Sequence, residues 1–129
     1  MKNHEEKVDF LFKIISEKLK MPHLAWKPMR GRKTPVNVAR SYSMGYIDLK
    51  KGIITLDIYT PRKRQPKSLK SLLYVLAHEI THLQKPPYRQ RHKGRWIVRQ
   101  HYPAFYRQVN RNSKKLLHDK EVLNILECA

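Results

Sequence analysis

An α+β fold is what the apolar patterning of this chain predicts, and three observations carry the prediction. Apolar residues recur at three- and four-residue steps near the N-terminus and, more strongly, between Ser68 and Gln84, the spacing of one face of an α-helix. Between those stretches, two segments alternate apolar with polar residues around Lys50-Lys51-Gly52, the pattern of a small antiparallel β-hairpin. Beyond Pro86-Pro87, weaker helical texture returns and predicts C-terminal helices.

The first helix is expected to start at Asn3, with Glu6 three residues on in a capping-box arrangement, and to end at Met21-Pro22. Its stripe is Val8, Leu11, Phe12, Ile15 and Leu19. The opposite face carries as many acids as bases, which assigns the stripe to the core and not to a membrane surface. From His23 to Arg40 the chain is basic and weakly patterned. Trp26 in that stretch is a core anchor or a base-stacking platform, with the core favoured. Val36–Arg40 reads as a short strand. In the hairpin, Ile47 and Leu49, then Ile54, Leu56 and Ile58, make an apolar face, leaving Tyr46, Asp48, Thr55 and Asp57 on a wet one. The basic loop that follows offers Arg62, Lys63 and Arg64 as phosphate contacts. After Pro87, YRQRHKGRWIVRQ reads as a Pro- and Arg-rich loop. Pro103 suits the first turn of a helix, with His101 at or just before its start and Phe105, Val109, Leu116 and Leu117 on its buried side. One more short helix is expected from Asp119 onward.

With 129 residues, the chain is expected to form a single domain, 1–129, around one modest core. No apolar run is long enough to span a bilayer, and the charged N-terminus is unlike a signal peptide, so a cytoplasmic protein is expected. Cys128 is the single cysteine, which rules out a disulfide framework and a thiolate cluster. Net charge is +18, and between Lys20 and His118 there are 23 Lys and Arg against only Asp48, Asp57 and Glu79. So uneven a distribution points to a polyanionic partner, with nucleic acid the foremost class.

The strongest helix carries the chemistry. It contains His78-Glu79-Ile80-Thr81-His82, an H-E-x-x-H pattern. Histidines four residues apart stand about 40° apart around the axis and one turn along, so both imidazoles can reach one cation. Glu79 lies about 100° further round, where it can touch a water at that cation without being a ligand. This is what a zinc hydrolase needs. A catalytic zinc takes three protein ligands and keeps a position open, so a third must come from downstream. His101, His92, His118 and Glu121 qualify by residue type, and spacing and helix placement favour His101 over His92 and Glu121.

An N-terminal helix, a hairpin, a helix reading LAHEITHL and a downstream His-x-x-x-Phe segment together resemble the SprT-like metalloprotease domain. This zincin-like module is also found in Spartan-type proteases that digest DNA–protein crosslinks. The resemblance covers roughly residues 5–115. It implies that His78, His82 and His101 bind zinc and that Glu79 is the catalyst. His101-Tyr102-Pro103-Ala104-Phe105 stands where the family has its third-ligand segment, with Tyr102 in place of the usual Gly; His92-Lys93-Gly94-Arg95-Trp96 is a rival match. The implied activity is a zinc-dependent peptidase acting on DNA-associated proteins. For such a site the hairpin offers an edge to extended substrate, and Tyr102 and Tyr106 are candidate oxyanion donors, with a packed tyrosine the favoured reading of each. The alternative from another class is a basic nucleic-acid-binding module whose metal is structural or absent.

Overall fold

The computed structural model describes residues 3–37 and 43–127. Helix α1 (His4–Lys18) starts at its expected cap, the Asn3 side chain accepting the Glu6 N–H at 2.8 Å. Its buried row of Val8, Leu11, Phe12 and Ile15 packs on helix α2 (Leu69–Gln84), where Leu72, Leu73, Leu76 and Ile80 have no exposed surface. Each such side chain contributes about 1.5–3 kcal/mol by leaving water, so the core is centred on this helix pair. Ser68 caps α2 by accepting the Ser71 N–H at 3.2 Å, and Pro86-Pro87 follow directly on its C-cap, Lys85.

Strands β1 (Ala25–Pro28), β2 (Gly45–Asp48) and β3 (Ile53–Leu56) form a sheet in the order β1-β3-β2. The last two are the expected antiparallel hairpin, with Gly52 at φ +69° in its turn. Strand β1 was not expected. It pairs parallel to β3, Trp26 opposite Ile54, so the sheet is mixed. Three of its four residues are exposed, so no alternation marks it; backbone pairing and one side chain, Trp26, hold it. Trp26 is a core-edge residue whose Nε1 donates to Asp9 at 3.1 Å. Of the strand expected at Val36–Arg40, Val36 and Asn37 lie in no strand, and the remainder falls outside the described residues.

The wet face expected for Thr55 on β3 and Asp57 just beyond it is a correction, since Thr55 is 4% and Asp57 0% exposed. Thr55 lies between its cross-strand neighbours Lys27 and Tyr46. Asp57 lies beneath the basic loop. Arg64 donates to it from Nη1 at 2.9 Å and from Nη2 at 3.0 Å, and Arg30 makes a further ion pair. Burial alone would raise the Asp57 carboxyl, but the two guanidiniums outweigh it and hold its pKa below the usual range. Arg64 also donates to the carbonyls of Gly31 and Arg32, at 2.9 and 3.1 Å. It is therefore a buried structural clamp and not the phosphate contact expected, while Arg62 and Lys63 are exposed. Leu49, expected on the apolar face, lies in the turn and is exposed.

The segment after Pro87 is a second correction. In place of a loop, β4 (Tyr88–His92) and β5 (Arg95–Arg99) form a two-stranded antiparallel hairpin turning at Lys93 and Gly94, φ +49° and +78°. Both faces are largely in water, so no hydrophobic period marks the strands. Helix α3 (Pro103–Leu117) has Pro103 in its first turn, and Phe105 and Leu116 are fully buried. Val109 and Leu117 are only partly buried, and Asn112 and Ser113 occupy the interior instead. Helix α4 (Lys120–Glu127) opens on Asp119, whose Oδ1 accepts the Glu121 and Val122 N–H groups at 2.9 and 3.2 Å. It is anchored by Val122, which is fully buried, more than by the surface pairs of Lys18 with Asp119 and Glu121. No helix among the described residues is long and apolar enough to cross a membrane.

Candidate metal centre

His78 and His82 stand one turn apart on α2, and His101 immediately precedes Tyr102, the N-cap of α3. Packing of α3 along α2 brings the three imidazoles together. Ring centroids lie 5.1 Å apart for His78–His82, 5.2 Å for His78–His101 and 5.0 Å for His82–His101. One nitrogen from each ring lies within 4.8 Å of the other two, a set that can hold a metal ion.

Phe105 is the floor of this cluster. Fully buried, it stacks on His82 at 4.5 Å and lies 5.0 Å from His78 and 5.2 Å from His101. A polar thread fixes α3 in that position. Asn112 donates from Nδ2 to Thr81 Oγ1 at 3.0 Å and to Gln84 Oε1 at 2.6 Å, and Gln108 donates to Asn112 Oδ1 at 3.0 Å. Sequence periodicity overlooked Asn112 because it is polar. The four-residue step from His101 to Phe105 was the readable signal for the floor.

Burial, with smaller contributions from His78 and His101, lowers the His82 pKa to about 4, and burial followed by His101 lowers His78 as well. Both rings are thus neutral near pH 7, the form in which a ring nitrogen keeps its lone pair for a cation. Glu79 is 7% exposed, and burial raises its pKa to about 7. A carboxyl balanced there can take up and release a proton at neutral pH.

These groups open on a cleft of about 380 Å³. It is lined by Tyr46 of β2, an edge strand, by Leu49 in the turn beyond it, by Pro87, Gln100 and His101, and by His78, Glu79 and His82 of α2. Among the described residues, no other candidate ligand joins the three histidines. His92 is exposed at the end of β4, the Glu121 carboxylate accepts from Lys18 at 3.0 Å, and His118 Nδ1 is 2.7 Å from the Lys114 carbonyl. Tyr102 donates its hydroxyl to the Pro86 carbonyl at 2.9 Å, which withdraws it from an oxyanion role. Tyr106 is half-exposed, its ring 6.1 Å from that of His101.

This geometry predicts that His101→Ala weakens metal binding by more than about 100-fold, since losing a group that only orients a ligand already costs about 10–100-fold. His92→Ala should keep one metal per chain. Zinc titration against a competing chelator measures both, and equal affinity in the two variants would remove His101 from the centre.

No protein-family model matches this chain, and no curated protein or solved structure matches it. What fold and site define is an α+β protein with a three-histidine centre able to hold a metal ion.

Proposed function

We propose that this protein is a zinc-dependent metallopeptidase of SprT-like, zincin-like character. The observation that carries the reading is the convergence of three imidazoles beside a buried, near-neutral carboxyl in an open cleft. Three histidines, with no thiolate joining them among the described residues, suit a catalytic zinc, whereas a structural zinc is closed by a fourth protein ligand. That distinction favours the peptidase over a binding module with a structural metal.

His78, His82 and His101 would hold the zinc, which would supply Lewis-acid polarisation of the scissile carbonyl and a water of pKa about 7. The chain's own residues do the rest. Glu79 takes the proton of the attacking water and delivers it to the leaving amine. An extended substrate adds to the free edge of β2, whose backbone groups fix its direction along the cleft. Tyr46 and Leu49, which line the cleft, contact its side chains. Phe105 and the Asn112 thread hold His101 in place, so the ligand set is organised before any metal arrives. The excess of cations between Lys20 and His118 supports DNA-associated proteins as substrates.

Chelation tests the reading. Stripping the metal should lower digestion of an unfolded protein substrate by at least about 100-fold, and one equivalent of zinc should restore it. A zinc-loaded protein that digests nothing, with or without DNA, would overturn the proposal.

A further inference from the structure

The β4–β5 hairpin is difficult to explain by folding. Nine of its ten strand residues are exposed, Ile97 is half-buried, and an isolated two-stranded hairpin is marginal in water. It nevertheless carries a large aromatic in the open, Trp96, at 59% exposure, beside Val98 at 60%. The register puts Arg91 opposite Trp96 and Arg89 opposite Val98, so these four side chains share one face. Both guanidiniums lie against the indole, with Arg89 Cζ 5.2 Å and Arg91 Cζ 5.9 Å from the ring centroid. The other face turns toward the body at its base, where Tyr88 meets Tyr102 at 4.9 Å. Five Lys and Arg fall within Tyr88–Arg99, and no carboxylate occurs anywhere between Glu79 and Asp119.

From this we infer that the outer face of the β4–β5 hairpin is a binding surface for single-stranded nucleic acid, with Trp96 stacking on a base and Arg89 and Arg91 contacting the flanking phosphates. A flat aromatic beside two planar cations matches a ligand that alternates flat bases with phosphates, and the base face is free only in an unpaired strand. In a duplex the bases are stacked on one another and cannot take the indole. An anionic membrane fits less well, because the tip of the ribbon is His92-Lys93-Gly94-Arg95 and the apolar groups lie along its flank. β5 runs directly into Gln100 and His101, both of which line the metal cleft. A strand held on the hairpin therefore brings whatever protein it carries next to that cleft. This rests on the nucleic-acid half of the proposed function and is independent of catalysis.

The test is fluorescence anisotropy of a labelled oligo-dT with the full zinc-loaded chain, beside a duplex of mixed sequence and vesicles containing phosphatidylserine. Wild type should prefer oligo-dT. Trp96→Ala should weaken that binding about ten-fold or more, with Trp96→Phe restoring most of it. Arg89→Ala with Arg91→Ala should flatten the salt dependence by about 1.4 in the log–log slope. Unchanged melting temperature and zinc content in these exposed-site variants exclude misfolding as the cause. Equal binding of oligo-dT by wild type and all hairpin variants, with loss only in Arg62→Ala/Lys63→Ala, would overturn the hairpin while keeping nucleic acid as partner. No oligo-dT or duplex binding at all would overturn both, and vesicle binding in its place would reassign the face to membranes. Duplex preference insensitive to Trp96→Ala would leave a phosphate contact and overturn the single-strand claim.

Discussion

Glu79→Gln is expected to leave zinc at one per chain and to reduce proteolysis by about two to four orders of magnitude, the usual contribution of a positioned acid–base group. The amide is nearly the same size as the carboxyl and fills the same buried space, so neither packing nor the three histidines need change. What it cannot do is accept a proton. Burial is what raises the Glu79 pKa to about 7, and the neutral amide suffers no such penalty, so the variant should be at least as stable as wild type near pH 7. Glu79→Asp supplies the complementary case: it keeps the acid but withdraws it by one methylene, and a misplacement of about 1 Å can cost about 100-fold. Single-turnover cleavage of a quenched peptide, with metal content measured on the same samples, separates chemistry from loading. Full activity in Glu79→Gln would remove the carboxyl from the reaction and leave the metallopeptidase reading without its base.

The central helix and its histidines were legible because two periods coincide on α2: an apolar row every three to four residues, and two histidines at the same spacing. His101 was legible by a different route, through the helix start that Pro103 marks. What stayed hidden was held by polar or backbone forces. Strand β1 is held by parallel pairing with β3 and by Trp26 among its side chains, and one residue makes no period. Asn112 is buried because Thr81 and Gln84 satisfy its amide, a relation across 31 and 28 residues that no local pattern encodes. Arg64 resembled its exposed neighbours Arg62 and Lys63 until Asp57 turned it inward. The β4–β5 hairpin escaped because a ribbon wet on both faces has no hydrophobic alternation; the Lys93-Gly94 pair at its turn was the available sign.

Asp57→Ala is expected to be the most damaging of the substitutions away from the metal centre, costing about 3–5 kcal/mol. The loss comes less from the ion pairs than from what is stranded: the Arg64 side chain, 9% exposed, keeps its charge with no carboxylate beside it. In a protein stable by about 5–15 kcal/mol, that is a large fraction of the whole. Replacing Arg64 as well, Asp57→Ala with Arg64→Met, should recover part of it, because the more buried of the two stranded guanidiniums goes too, while Arg30, 24% exposed, keeps its charge nearer water. Acid titration gives an independent check. The folded-state pKa of Asp57 is held below the ordinary carboxylate value, so its contribution is complete above about pH 4 and fades as pH falls through the folded value. His82 acts earlier in the metal-free chain. Its pKa is depressed to about 4, so the unfolded state gains protons first and stability drops between about pH 6.5 and 4. Subtracting the urea-unfolding curve of Asp57→Asn from that of wild type removes the histidine contribution, which both share. The difference should stay flat from pH 7 to about 5 and shrink below about 4. A difference that stays constant down to pH 2 would mean the Asp57 carboxylate contributes nothing through its charge, and the clamp would then be a matter of shape alone.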